Sequence, residues 1–154
     1  PGDGELSPGE AVPFGIEVSR HLAERADAAM RARGGRCVRA PATEGLPAFP
    51  DGHFRGIVLR SYLEHETEPL AVLSAARDKL APGGSAYVKV PNYGSINRRV
   101  MGRRWCGFRH PDHVNYFTLS SLRAMARRAG FAVRLINPVN LPLDDNIHAQ
   151  LVPA

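Results

Sequence analysis

Three segments of the chain carry apolar residues at the three- and four-residue spacing of an amphipathic helix. They lie within residues 20–35, 68–84 and 118–131, and each reaches glycine, a common helix terminator, at or near its end. Short apolar runs between and beyond them predict strands within residues 13–19, 36–40, 54–63, 85–92, 132–139 and 146–153. Strands that alternate with helices in this order predict an α/β fold with a mainly parallel sheet.

Ligands of such sheets bind beyond the carboxyl ends of the strands. Three stretches fall at strand ends in this chain: Glu17, residues 60–66 and the long loop 91–117. The loop contains the only tryptophan of the chain, two histidines and five arginines. We therefore expect the functional residues in these stretches, with the loop on the substrate side.

Length and composition narrow the class of protein. A chain of 154 residues predicts a single domain, 1–154, with an irregular segment at 1–12. No apolar run of about 18 residues or signal-peptide pattern is present, so we expect a cytoplasmic protein without a membrane partner. The two cysteines, Cys37 and Cys106, predict no disulfide framework, and no convincing cluster of metal ligands is visible, so no metal is expected.

The chain carries a formal net charge of +5, almost all of it from arginine. This charge permits binding to nucleic acid but does not demonstrate it. The arginines of the loop, with Tyr93, Trp105 and Phe108 between them, could bind a phosphate backbone and stack bases. They also suit one solvated helical face, or recognition of an anionic small molecule.

Three stretches together resemble class I S-adenosylmethionine-dependent methyltransferases: "GIEVS", "LPAFPDGHFRGIVLRSYLEHETEPLAVLSAARDKLAPGGSAYVKVPN" and "HVNYFTLSSLRAMARRAGF". The chain is most similar to the small-molecule methyltransferases, which carry "LEH" after the family's fourth strand and "PN" after its fifth. In this chain these motifs lie at the ends of the strands predicted within 54–63 and 85–92. The resemblance covers residues 13–137. It implies a Rossmann-like methyltransferase sheet, S-adenosylmethionine as cofactor and methyl transfer to a small-molecule acceptor.

The resemblance also assigns cofactor-binding residues. Glu17 takes the position that holds the ribose hydroxyls, and a strand-end carboxylate can accept two hydrogen bonds from a diol. Leu63, Glu64 and His65 take the positions that border the methionine part of the cofactor. The alternatives are that Glu17 is a solvated acid, that Glu64 caps the following helix and that His65 lies on the surface.

On the acceptor side, the resemblance places Asn92 and Tyr93 close to the reacting methyl group. Trp105 either forms a planar wall for a substrate ring or packs a lid onto the body. His110 is assigned to the substrate site. His113 is the catalytic candidate, since an imidazole can take a proton from an acceptor hydroxyl near neutral pH. The alternative for His113 is a hydrogen bond to the loop backbone.

The chain also departs from the family pattern. Only twelve residues precede Pro13, so the first strand of the family and its glycine-rich turn are missing and the sheet is expected to be truncated at its N-terminal side. Their absence predicts a gap between the strands near residues 14–18 and 54–59, unless another segment fills it, the two strands close up or the chain is a fragment. A chain with this gap is expected to dimerise or to expose apolar surface. Ala42 replaces an acid that accepts from the adenine amino group, and Arg55 replaces another acid. We therefore expect this chain alone to bind S-adenosylmethionine weakly or not at all.

Three functions remain open from the sequence. The first is methyl transfer to a small and possibly anionic acceptor, by a chain that is all or part of a methyltransferase. The second is a methyltransferase-like module that no longer binds the cofactor and serves interaction or structure. The third, an RNA-binding or RNA-modifying domain, is the least favoured. The sequence does not distinguish O-, N- and C-methylation.

Overall fold

The computed structural model describes residues 11–136 and 138–154. It divides into two compact units, the first ending at Phe49 and the second running from Pro50 to Ala154. The irregular segment predicted at 1–12 lies almost wholly outside the described residues. The prediction of a single domain stays a prediction.

The first unit is built on two short parallel strands joined by a helix. Strand β1 (Phe14–Ile16) pairs in register with β2 (Arg36–Val38), and helix α1 (Arg20–Arg31) connects them. Ala23 is the buried residue of α1. The turn-rich stretch that follows forms a short helix, α2 (Ala42–Gly45), and one 3-10 turn, neither of which the sequence predicted.

The second unit is a four-stranded sheet in the order β3-β4-β6-β5. Its elements are β3 (Phe54–Arg60), α3 (Pro69–Lys79), β4 (Leu80–Pro91), α4 (Ile96–Met101), α5 (Leu119–Arg128), β5 (Phe131–Leu135) and β6 (Asn146–Pro153). Strands β3, β4 and β5 point the same way, and β6 runs antiparallel to both of its neighbours. The α/β fold is thus confirmed and three of the four strands share one direction, but two of the three pairings in this sheet are antiparallel because β6 reverses.

Helices α3 and α5 pack on each other and on strands of this sheet. Their buried residues are Val72, Leu73 and Ala76 of α3, and Leu122 and Ala126 of α5. Thr118 caps α5, accepting a hydrogen bond from the backbone N–H of Ser121. In the sheet, alternate residues of β4 and β6 are fully buried: Ala86, Val88, Val90, Ile147, Ala149 and Leu151.

Strand β4 begins earlier than the sequence indicated. Helix α3 ends at Lys79, and the extended chain starts at Leu80, before the predicted Pro-Gly-Gly stop. The pairing with β3 shifts register in this stretch. Gly84 is required there, because a Cβ atom would lie 2.9 Å from the carbonyl oxygens of Ala81 and Phe54.

Strands β1 and β3 belong to different sheets and do not pair with each other. Within residues 11–136 and 138–154, β4 is the only strand that pairs with β3, so the other edge of β3 carries no strand partner. The predicted gap between these two strands stays a prediction. Among the described helices, none is long and apolar enough to cross a membrane.

Candidate active site

The turn after β3 is held by the end of the long loop. The carbonyl oxygen of Glu64 accepts hydrogen bonds from the backbone N–H groups of Val114 (2.9 Å) and Asn115 (3.0 Å). The side-chain amide of Asn115 donates to the carbonyls of Leu63 and Glu66. These four bonds place His113 against the turn. Leu63 and Glu64 are buried as a result, while His65 remains exposed.

Glu64, His65 and His113, here called the Glu-His-His cluster, come together at this turn. One carboxylate oxygen and one nitrogen from each ring all lie within 4.8 Å of one another. The two rings meet edge to face, with centroids 4.7 Å apart. Sequence reasoning did not find the cluster, because His113 is far from Glu64 and His65 along the chain and only the loop's hydrogen bonds bring it close.

Both rings of the cluster are oriented by backbone carbonyls. Nδ1 of His113 lies 2.8 Å from the carbonyl oxygen of Gly107, and Nδ1 of His65 lies 2.8 Å from that of Asp112. A carbonyl oxygen can only accept, so each Nδ1 carries a proton and donates it. In the neutral ring, this leaves the lone pair on Nε2. The predicted backbone bond of His113 is thus present, and it leaves the other nitrogen free for chemistry.

Glu64 is 2% exposed, and its Oε2 is buried without a hydrogen-bond partner in the described part of the chain. It does not cap α3, because the residue at that position is Glu68 and no side-chain cap forms there. Two residues further on, burial alone would raise the pKa of Glu66, but hydrogen bonds from Tyr62, Glu68 and Thr67 outweigh it and lower that pKa. The carboxylate of Glu66 therefore has hydrogen-bond partners, whereas Oε2 of Glu64 has none among the described residues.

An aromatic cluster occupies the rest of the loop. Tyr93 contacts the rings of Trp105, Phe108 and Tyr116 at centroid distances of 6.3, 6.1 and 5.8 Å. Trp105 is 2% exposed, whereas Phe108 is 38% exposed. The structure thus shows Trp105 packed in the loop, as in the packing alternative, and leaves Phe108 as the open aromatic surface. Arg98 covers Tyr93, with its guanidinium carbon 4.2 Å from the ring centroid.

Asp145 anchors this cluster and was not singled out from the sequence. Its Oδ1 accepts hydrogen bonds from Trp105 Nε1 at 2.7 Å and from the Ser95 hydroxyl at 3.2 Å. Its Oδ2 accepts a weak bond from the Cys106 thiol at 3.7 Å. No short motif contains these residues, since Asp145 immediately precedes β6 and its partners lie after β4.

The buried side chain of Asn92 is used by the protein itself. Its amide N–H groups donate to the carbonyls of Leu141 (2.9 Å) and Asp144 (3.0 Å), and its Oδ1 accepts from the Gly94 N–H. In this arrangement Asn92 fixes the end of β4, and its predicted contact with substrate stays a prediction. His110, also assigned to the substrate site, is exposed in the loop.

Glu17 follows β1 in the first unit and is half-buried. Its Oε1 accepts a hydrogen bond from the Ser19 N–H at 2.8 Å, which fixes the carboxylate. Among the described residues its other oxygen has no hydrogen bond, so this oxygen can accept one from a ribose hydroxyl. Ala42, the first residue of α2, has no side-chain atom that can accept a hydrogen bond, as the sequence indicated.

The model of a methyltransferase domain family matches residues 8–136, most of the chain. The chain belongs to this methyltransferase family. S-adenosylmethionine is the cofactor that the family and its structural relatives support.

Solved structures show the same fold. The chain is 15% identical to a methyltransferase of Archaeoglobus fulgidus that is dependent on S-adenosylmethionine, with a TM-score of 0.64 over 89% of this chain and 75% of that one. For a possible histamine N-methyltransferase of Thermotoga maritima the identity is 20%, the TM-score 0.66, and the coverage 91% and 72%.

A third structure contains ligands. It is the 1,6-didemethyltoxoflavin N1-methyltransferase of Burkholderia thailandensis with bound 1,6-didemethyltoxoflavin and S-adenosylhomocysteine. The chain is 16% identical to it, with a TM-score of 0.62 over 90% of this chain and 59% of that one. No curated protein matches the methyltransferase chain in sequence.

A shallow depression of about 270 Å³ lies elsewhere, on the four-stranded sheet. None of the predicted site residues lines it; its lining is Gly56, Ile57, Val58, Ser85, Tyr87, Ile136 and Gln150. The predicted site residues of the second unit lie instead in the turn after β3 and in the loop after β4.

Proposed function

We propose that this methyltransferase transfers the methyl group of S-adenosylmethionine to a small-molecule acceptor held by the loop 91–117. The observation that carries the proposal is the aromatic cluster around Tyr93, which fixes the loop and leaves Phe108 open at its surface. A preorganised aromatic surface suits a planar or apolar acceptor, because rigid rings lose little entropy on binding. The Burkholderia thailandensis structure with the same fold has 1,6-didemethyltoxoflavin bound.

The charge of the loop favours an anionic acceptor. Four exposed arginines surround the aromatic cluster in sequence, at positions 99, 103, 104 and 109. Exposed charges of one sign attract a ligand of the opposite sign and orient it before contact. The neighbouring Arg98 is half-buried against the Tyr93 ring and donates a hydrogen bond to the Tyr93 carbonyl. Its charge therefore stabilises the loop itself.

The proposed cofactor contacts are Glu17 for the ribose and Leu63, Glu64 and His65 for the methionine part. When bound, S-adenosylmethionine supplies a methyl group on a positively charged sulfur. Glu17 offers a fixed carboxylate with one free oxygen. The proposed acceptor contacts are Tyr93 and His110. Trp105 and Asn92 are buried and act indirectly, Trp105 by supporting the aromatic cluster and Asn92 by fixing the strand end.

His113 is the proposed catalytic residue. Its ring is 7% exposed and fixed through Nδ1, so its Nε2 lone pair has a defined position in the loop. Methyl transfer depends mainly on alignment, and a fixed basic nitrogen adds removal of a proton when the acceptor is a hydroxyl.

A pair of variants tests this division of roles. Glu17→Gln should weaken binding of S-adenosylmethionine by about 1.5–3 kcal/mol, the value of hydrogen bonds to a charged group. His113→Ala should lower turnover and leave that affinity nearly unchanged. Calorimetry measures the affinity, and release of S-adenosylhomocysteine measures turnover with acceptors found in a panel of small anionic and aromatic compounds.

Glu24→Gln and His21→Ala are the matched controls, since both residues are exposed on α1. Unchanged affinity in Glu17→Gln would remove Glu17 from the ribose site. Equal loss of cofactor affinity in His113→Ala would place this histidine on the cofactor side. Failure of the wild-type chain to bind S-adenosylmethionine would contradict methyl transfer by this chain alone, would agree with the weak binding expected from its departures from the family pattern, and would favour the interaction module.

A further inference from the structure

The Glu-His-His cluster has the composition of a transition-metal site. Two imidazoles and one carboxylate are the protein ligands of one common catalytic zinc arrangement, in which water or substrate takes the fourth position. Mixed nitrogen and oxygen ligands of this kind favour zinc and its neighbours over magnesium, which prefers oxygen alone.

The unsatisfied carboxylate is the observation that points to a cation. Glu64 is 2% exposed, its Oε2 has no hydrogen-bond partner, and it forms no ion pair within the described residues. A buried carboxylate is costly unless it is paired or coordinates a metal. The described residues give Oε2 no partner. A bound cation would supply one.

The histidines are oriented as metal ligands are. In metal sites the second nitrogen of a ligand histidine usually donates to a backbone carbonyl or carboxylate, which fixes the ring and its tautomer. Here both Nδ1 atoms lie 2.8 Å from backbone carbonyls, so both Nε2 lone pairs are free. Two neighbouring histidines with the same uncommitted nitrogen are expected of a ligand pair.

The distances allow closure around an ion. The three ligand atoms lie within 4.8 Å of one another. Bonds of about 2.1 Å in a tetrahedral site place ligand atoms roughly 3.4 Å apart. Closing the cluster therefore requires its atom-to-atom separations to shorten by about 1.4 Å or less. His65 can provide this movement because its side chain is exposed.

We propose that Glu64, His65 and His113 bind one divalent transition-metal ion, with zinc as the preferred ion. Glu64 and His113 form the buried side of the site, and His65 closes it from the surface. The fourth position stays open to water or to a ligand. In the metal-bound chain, the Nε2 lone pair of His113 contacts the ion instead of taking a proton.

Titration of the metal-free chain with Zn²⁺ tests the proposal directly, without cofactor or acceptor. We expect one ion per chain and a higher unfolding temperature with zinc present. Glu64→Gln and His65→Ala should each weaken zinc binding by more than about 100-fold, since loss of an outer partner alone costs 10–100-fold. Glu64→Gln keeps the shape of the side chain, and His65→Ala removes an exposed one, so both variants should fold.

Glu66→Gln is the matched control for Glu64→Gln, because Glu66 lies in the same turn but bonds Tyr62. His21→Ala is the control for the histidine variant. Both should bind zinc as the wild type does, and Mg²⁺ should produce no shift in unfolding temperature. Equal zinc affinity in Glu64→Gln and Glu66→Gln would overturn the proposal, as would a wild-type chain whose unfolding temperature does not respond to zinc. Because activity is not measured, an inactive chain can still confirm the site.

Discussion

The pKa of the Cys106 thiol depends on the nearby carboxylate of Asp145. Partial burial raises the pKa of Cys106, and the charge and hydrogen bond of Asp145 raise it further. A raised pKa lowers the fraction of reactive thiolate at a given pH. This cysteine is exposed, so access does not limit its reaction. Its reactivity should therefore be low for an electrostatic reason.

We expect Asp145→Asn to lower the pKa of Cys106 and to speed its alkylation by iodoacetamide at pH 8. The substitution removes the negative charge, while the new amide oxygen can still accept from Trp105. The measurement is the alkylation rate against pH in a Cys37→Ser background, where Cys106 is the only thiol. Asp144→Asn is the control. An unchanged midpoint of the profile, or the same change in the control, would contradict this assignment.

At the scale of elements, the end of β4 depends on one side chain. Asn92 connects it to residues 141–145 through two donated hydrogen bonds and accepts a third from Gly94. Removing a buried partner leaves the remaining groups unsatisfied, which costs more than the bond itself contributes. Asn92 therefore fixes the end of β4, and the aromatic cluster begins at the next residue, Tyr93.

Asn92→Ala should lower the free energy of unfolding by about 1–3 kcal/mol, because it leaves carbonyls of Leu141 and Asp144 without their donor. Asn97→Ala is the comparison, since Asn97 is less buried and donates one bond, to the carbonyl of Leu143. It should cost about 1 kcal/mol or less. Denaturant unfolding followed by circular dichroism gives both values, and equal losses would show that the anchor is not specific to Asn92.

The sequence predicted the elements whose signal is local. Helices α1, α3 and α5 were visible from apolar spacing and terminating glycines, and the strands were visible as short apolar runs. Helix α2 was missed because four residues are too few for a periodic signal. Helix α4 was anticipated only through the spacing of its arginines.

The candidate site was predictable as a set of residues but not as an arrangement. Resemblance to the family pointed to Glu64, His65 and His113 separately. Their meeting depends on backbone bonds from Val114 and Asn115 to the turn, which no local pattern encodes. Asp145 was missed for the same reason, since its partners lie 39–50 residues away along the chain.

At the scale of the whole molecule, the net charge of +5 is compatible with nucleic acid as a ligand. Among Tyr93, Trp105 and Phe108, however, the loop leaves only one ring exposed, which is too few to stack successive bases. Trp105 is buried and Tyr93 is covered by Arg98, so Phe108 is the exposed ring among these three. Base stacking on aromatic rings is what gives single-strand binders their affinity beyond charge.

We expect binding of single-stranded RNA to be weak, with a dissociation constant above about 10⁻⁶ M near physiological salt, and to fall steeply as salt rises. A fluorescence anisotropy titration at several salt concentrations measures this. Arg103→Ala with Arg104→Ala should weaken whatever binding remains. Tight binding that persists at high salt would instead support the RNA-binding alternative.

The hydrogen bonds between the loop and the turn after β3 also have a consequence for folding order. Asn115 bonds Leu63, a residue 52 positions earlier, so this contact closes a long stretch of chain. Contacts of such separation pay a larger entropic cost than those within a helix or hairpin. The Glu-His-His cluster should therefore assemble after β3, α3 and β4 are in place. It can also open by local unfolding of the loop while the sheet stays folded.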